Sequence, residues 1–217
     1  MIITRFRRLA TSSVLVIGLG ASALAAQSVI EPKGQVFDPA KLAGGDYTLD
    51  PTHANVGFMV SHLGMSAYPG RFDSVTGSLT FNNADLVKST LSVTIDAASV
   101  NVVSKKLTDH LQNSDFFDVK KYPEITFKST KVEKIDDKTG RVTGDLSLHG
   151  VTKPVTLDVT FNGGTRNPMS SESILGFSAR GEINRSDFGM TYIPKFVGDR
   201  VAIVIEAEFV QPKSKRP

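Results

Sequence analysis

Cysteine and tryptophan are both absent from the 217 residues. Without thiols the chain has no cysteine nucleophile, disulfide, iron–sulfur cluster or thiolate zinc site, so its stability must come from a packed core. Membrane-length hydrophobic runs are missing too. The apolar stretch Val14-Leu15-Val16-Ile17-Gly18-Leu19 is too short and too rich in small residues to span a bilayer. It follows Arg5, Arg7 and Arg8 and precedes Ala23-Leu24-Ala25, the three parts of a secretion signal, so residues 1–25 are expected to be cleaved. A lipoprotein anchor needs a cysteine, which leaves an exported, unlipidated protein of a Gram-negative periplasm as the expectation. Also missing are a G-x-S-x-G elbow, a Walker A loop and a G-x-G-x-x-G turn, which removes the commonest nucleophile and nucleotide signatures.

An excess of positive charge is lacking as well, despite a formal net charge of +3. Three arginines sit in the leader, and Lys213, Lys215 and Arg216 sit in a tail at 211–217. Removing those six from 25 basic residues leaves 19 against 22 acidic ones. The body is slightly acidic and carries no nucleic-acid footprint. The tail is a candidate for transient contact with anionic lipid.

What is present is alternation. Residues 26–44 hold Pro, Gly and little periodicity and are expected to form a flexible tether, with one domain over 45–210. Within it, branched or aromatic residues alternate with Thr, Ser, Asp or Glu at 75–81, 91–95, 155–161 and 201–209. Weaker alternation covers 56–62, 125–132, 141–148 and 174–183. Eight such segments joined by Gly, Asn and Asp turns predict an all-β, antiparallel meander or barrel rather than a parallel sheet. One segment departs from period two. Ser104 is placed to cap a short helix with Leu107 and Leu111 on one face, and the following Phe116, Phe117 and Tyr122 need an apolar seat at a barrel end.

A barrel of eight strands either fills with its own side chains or holds one slender ligand. Alternation alone leaves both open. The inward positions expected to line a tunnel are Phe58, Val60, Phe72, Phe81, Val93, Phe127, Leu157, Phe161 and Phe177. Headgroup or mouth contacts are assigned to His53, Arg71 and Arg185, where Arg185 either meets a polar headgroup bidentately or pairs with Asp187 to hold its own turn. His53, His62, His110 and His149 show no paired ligand spacing, so no metal site is expected. Asp145, Ser147 and His149 share one strand face and stand in a row, which is poor geometry for a hydrolytic triad.

Several motifs then recur in a particular order: Tyr47-Thr-Leu-Asp50-Pro-Thr-His53, Val60-Ser-His62-Leu-Gly64, Gly70-Arg71-Phe72, and Asp109-His110-Leu111. Ser114-Asp-Phe-Phe-Asp118, Tyr122-Pro-Glu-Ile-Thr-Phe127, Gly144-Asp-Leu-Ser-Leu-His-Gly150 and Asn184-Arg-Ser-Asp-Phe-Gly189 follow. From about Tyr47 to Phe209 the chain resembles the YceI family of periplasmic, lipocalin-like polyisoprenoid-binding proteins. The resemblance implies an eight-stranded antiparallel lipocalin-like barrel with one short helix, enclosing an apolar tunnel. It implies a bound isoprenoid, quinone or similar amphiphile as ligand, no other cofactor, and no catalytic residue. The expected function is binding or carriage of that lipid. The alternatives are a stress-related interaction module with a filled core, partnering membrane redox proteins, and a lipid-modifying enzyme. Association into a homodimer is left open.

Overall fold

The computed structural model describes residues 34–211. The expected signal peptide at 1–25, tether residues 26–33 and tail residues 212–217 lie outside the described residues. Ten strands follow in chain order: β1 (Gly45–His62), β2 (Ser66–Phe72), β3 (Val75–Phe81), β4 (Thr90–Asp96), β5 (Val100–Asn101), β6 (Glu124–Lys134), β7 (Thr139–Leu148), β8 (Val151–Arg166), β9 (Ser173–Asn184) and β10 (Val197–Gln211). Eight of them close a ring: β1 pairs β3, then β4, β6, β7, β8, β9 and β10 follow, and β10 returns to β1. Each pairing is antiparallel. The eight ring strands contain the eight alternating segments of the sequence.

The remaining two strands extend the wall at one end. β2 pairs the second half of β1, with Pro69 opposite Met59, and β5 pairs the end of β2. Proline removes a ladder donor and glycine a packing side chain, so Ser66-Ala-Tyr-Pro-Gly-Arg-Phe has weak strand character until β1 is in place beside it. Gly70 serves close approach. It stands opposite Phe58, and a Cβ there would overlap the Phe58 ring.

β1 bends where its register against β10 shifts between Leu49 and Ala54. Asp50 holds that bulge, its carboxylate accepting from the Thr52 N–H at 2.9 Å, the Thr52 hydroxyl at 2.7 Å and His53 Nδ1 at 2.7 Å. The one α-helix among the described residues is α1 (Lys105–Leu111), capped by the Ser104 hydroxyl accepting from Leu107 N–H. It lies at the end of the barrel where β1 and β9 finish.

The tether expected up to Gly44 is docked from Val36 onward. Val36 and Gly164 exchange N–H···O bonds of 2.8 and 2.9 Å, Leu42 packs against the core, and the Leu42 carbonyl accepts from Asn83 Nδ2 at 3.0 Å. The bare backbone of Gly164 is what admits Leu42, whose methyls would clash with a Cβ there. Apolar residues Val36, Phe37 and Leu42 thus bind a glycine notch on β8, a pairing that local composition does not announce.

Candidate functional site

Inward residues on all eight ring strands wall a cavity of about 350 Å³. That lies at the lower end of ligand-binding cavities. Its walls are almost wholly apolar, so water within would lack partners and the cavity suits hydrocarbon. All nine expected lining residues reach it. Phe58 and Val60 come from β1, Phe72 from β2, Phe81 from β3, Val93 from β4 and Phe127 from β6. Leu157 and Phe161 come from β8, and Phe177 from β9.

The aromatic rings form two collars. Near α1, Phe72 stands 5.8 Å from Phe58 and 5.5 Å from Phe117, ring centre to ring centre. In the opposite half a chain of rings runs from Phe81 to Phe161 at 6.5 Å, on to Phe177 at 5.3 Å and to Phe209 at 5.9 Å. Edge-to-face and tilted contacts brace these rings against one another. Val93, Leu157, Ile205 and Ala179 line the wall as well. Alternation on β10 places Ile203, Ile205 and Ala207 on the same bore, and Leu111, Phe116 and Phe117 close its end. These residues were absent from the expected lining. The β10 alternation was a readable signal for the first three, and the aromatic cluster after α1 was one for the rest.

The two ends differ in access. At the α1 end the wall residues Ile95, Leu148, Phe116 and Met190 are buried. At the other end the wall is continued by Thr90, Lys134, Asp136, Asp137, Lys138 and Arg141, all exposed. The bore therefore opens beside the β6–β7 turn. Charges at this mouth are largely compensated: Lys134 pairs Asp137 at 2.9 Å and Arg141 pairs Asp158 at 3.0 Å. The Lys138 ammonium lies 4.1 Å over the Phe37 ring.

None of the three expected headgroup contacts is free to serve as one. His53 sits on the β1 bulge, exposed and bound to Asp50, away from the bore. Arg71 lies between inward Gly70 and Phe72, so strand alternation turns it outward, where it pairs Asp73 at 2.8 Å. Arg185 borders the closed end but is 4% exposed, and each of its three guanidinium nitrogens donates to a backbone carbonyl. Its Nε donates to the Gly198 carbonyl at 2.9 Å and Nη1 to Met190 at 2.7 Å. Nη2 donates to Tyr192 at 2.8 Å and Val197 at 2.9 Å. Burial lowers its pKa and nearby Asp199 opposes that shift. Nor does it pair Asp187, which binds Lys153 at 3.0 Å. Its role is to tie the β9–β10 connection together.

No group of three or more His, Asp or Glu able to hold a metal occurs among the described residues. Ser147 bonds Thr152 across β7 and β8 at 2.6 Å, while His149 Nδ1 contacts the Phe188 carbonyl at 3.0 Å. Ser147 and His149 thus engage separate partners rather than each other.

A family model described as a YceI-like domain matches residues 47–209, the length of the barrel. The chain belongs to the YceI-like family. A UPF0312 protein of Pseudomonas putida strain W619 is 43% identical over 147 residues, covering 67% of this chain and 76% of the relative. The solved YceI protein of Campylobacter jejuni is 36% identical with a TM-score of 0.63, covering 70% of this chain and 90% of that one. A polyisoprenoid-binding domain from Saccharophagus degradans shares the fold at 18% identity and TM-score 0.53, covering 76% and 98%. The eight-stranded antiparallel barrel, with one α-helix among the described residues, is thus a fold that this chain shares with solved YceI proteins.

Proposed function

We propose that this protein is exported to the periplasm and there binds and carries a long-chain isoprenoid lipid, quinone or similar amphiphile, without catalysing a reaction. The observation that carries the reading is the apolar bore, closed at the α1 end and open at the β6–β7 turn. Membership in the YceI-like family and the shared fold of the Saccharophagus polyisoprenoid-binding domain support it. Burying hydrocarbon from water contributes roughly 0.8 kcal/mol per methylene, about 4 kcal/mol per five-carbon unit at the upper end. A membrane interior offers nearly the same gain, so transfer between bilayer and bore is close to balance. Near-balance suits a carrier that both loads and unloads. The filled-core alternative is disfavoured by the same cavity.

The test is to purify the protein from a Gram-negative host, extract it with organic solvent and identify the extract by mass spectrometry. The expected result is one class of isoprenoid-tailed lipid in stoichiometric amount. An empty protein that also ignores added isoprenoids sinks the proposal.

A further inference from the structure

Three chain connections at the open end of the barrel each present an exposed apolar side chain. Val87 in the 3-10 turn Leu86–Lys88 is 51% exposed, Ile135 in the β6–β7 turn is 56% exposed, and Met169 in the β8–β9 connection is 94% exposed. The Leu86–Lys88 turn packs on β6, the strand that leads into the turn carrying Ile135. Their turns are rigidly built. Asp136 accepts from the Lys138 and Thr139 N–H groups at 2.8 and 2.7 Å and from the Thr139 hydroxyl at 2.7 Å. Asn82 accepts from Asp85 N–H at 2.9 Å, and Ser89 accepts from Asn82 N–H at 3.0 Å.

Cations flank these tips. Lys88 follows Val87, Lys134 precedes Ile135, and Lys138 completes the β6–β7 turn. Lys88 and Lys134 pair Asp85 and Asp137 at 3.0 and 2.9 Å, so the rim carries little net charge of its own. Lys138 engages an aromatic face rather than a carboxylate. Gln211 ends β10 at this same end, its amide donating to the Gly44 carbonyl at 3.1 Å, and Lys213, Lys215 and Arg216 follow it in sequence. Apolar tips and a self-neutralised rim beside a hydrocarbon bore, with three cations following Gln211 in sequence, match the chemistry of an anionic bilayer surface.

We infer that the open end is a membrane-docking surface: Val87, Ile135 and Met169 enter the interfacial layer of an anionic bilayer and seat the mouth of the bore on the lipid. A tail then passes from bilayer to bore without crossing water. The inference rests on the lipid-carrier reading above, and its test separates the two.

Vesicles of mixed phosphatidylcholine and phosphatidylglycerol are floated with the exported protein lacking residues 1–25, with its Val87→Ser plus Ile135→Ser variant, and with its Leu63→Ser plus Met65→Ser variant altered at the closed end. A fluorescent fatty-acyl probe in vesicle-free solution reports in parallel on the bore and on folding. Neither Val87 nor Ile135 lines the bore. The expected result is flotation of the parent, at least about tenfold weaker partitioning of the open-end variant, and unchanged probe binding by all three proteins. Parent protein that stays out of the floated fraction, an open-end variant that floats as well as the parent, or a loss confined to the closed-end variant overturns the docking surface. Normal probe binding alongside any of these leaves the carrier reading standing, whereas loss of probe binding by the parent strikes the carrier reading itself.

Discussion

Asp50 shows how one polar side chain shapes the barrel wall. Hydrogen bonds from the Thr52 hydroxyl and the His53 ring lower its pKa to about 2, from an ordinary 3.8. The same bond to Asp50, helped by Glu208, raises His53 above 6.5. The depressed carboxylate contributes stability above 3.8 that is lost as pH falls toward about 2. The raised imidazole contributes stability below 6.5 that is lost as pH climbs through its folded-state value. Both contributions coexist between about pH 4 and 6.5, and solvent exposure of His53 keeps the pair below about 1 kcal/mol. Asp50→Asn should therefore destabilise most inside that window, with the gap from the parent narrowing on either side. Urea unfolding across pH measures it, and parallel curves for the two proteins would refute the assignment. At this scale the Asp50-Pro-Thr-His53 motif was visible in sequence. Its use as a bulge clamp was not, because the register shift that needs clamping exists only once β10 lies alongside.

Among the elements, the β9–β10 connection depends on Arg185. One guanidinium satisfies four carbonyls, three of them on residues 190–197 and one on Gly198. Removing it leaves one buried and three half-buried acceptors without this donor, at a cost of about 3 kcal/mol. Arg185→Ala should lower the thermal midpoint by roughly 10 °C. Arg185→Lys should recover only part, since an ammonium cannot reproduce the planar fork. Calorimetry decides; an alanine variant within about 1 kcal/mol of the parent would contradict the tie. The ring strands and α1 were legible from period-two alternation and the Ser104 cap, both local signals. β2 was not, since Pro69 and Gly70 mask strand character that only pairing with β1 supplies.

For the whole molecule, the consequence of closing the sheet is an interior volume, and a substitution that occupies it tests its purpose. Val93 faces the bore from β4, paired with Gly77 and Phe127. Val93→Trp should fill space without large rearrangement and keep the barrel's circular dichroism. Displacing two methylenes of ligand would weaken tail binding about tenfold. A titration with a fluorescent fatty-acyl probe gives the answer, and undiminished binding would mean the lipid sits elsewhere. The sequence by itself determined the strand pattern, the apolar inner face and the absence of thiol chemistry, because alternation and composition act within a few residues of each site. Whether the phenylalanines fill the centre or line it, which end opens, and which cations are free depended on strand tilt, closure and the partners met across the barrel. Those are distances between residues far apart in the chain, and only the closed sheet sets them.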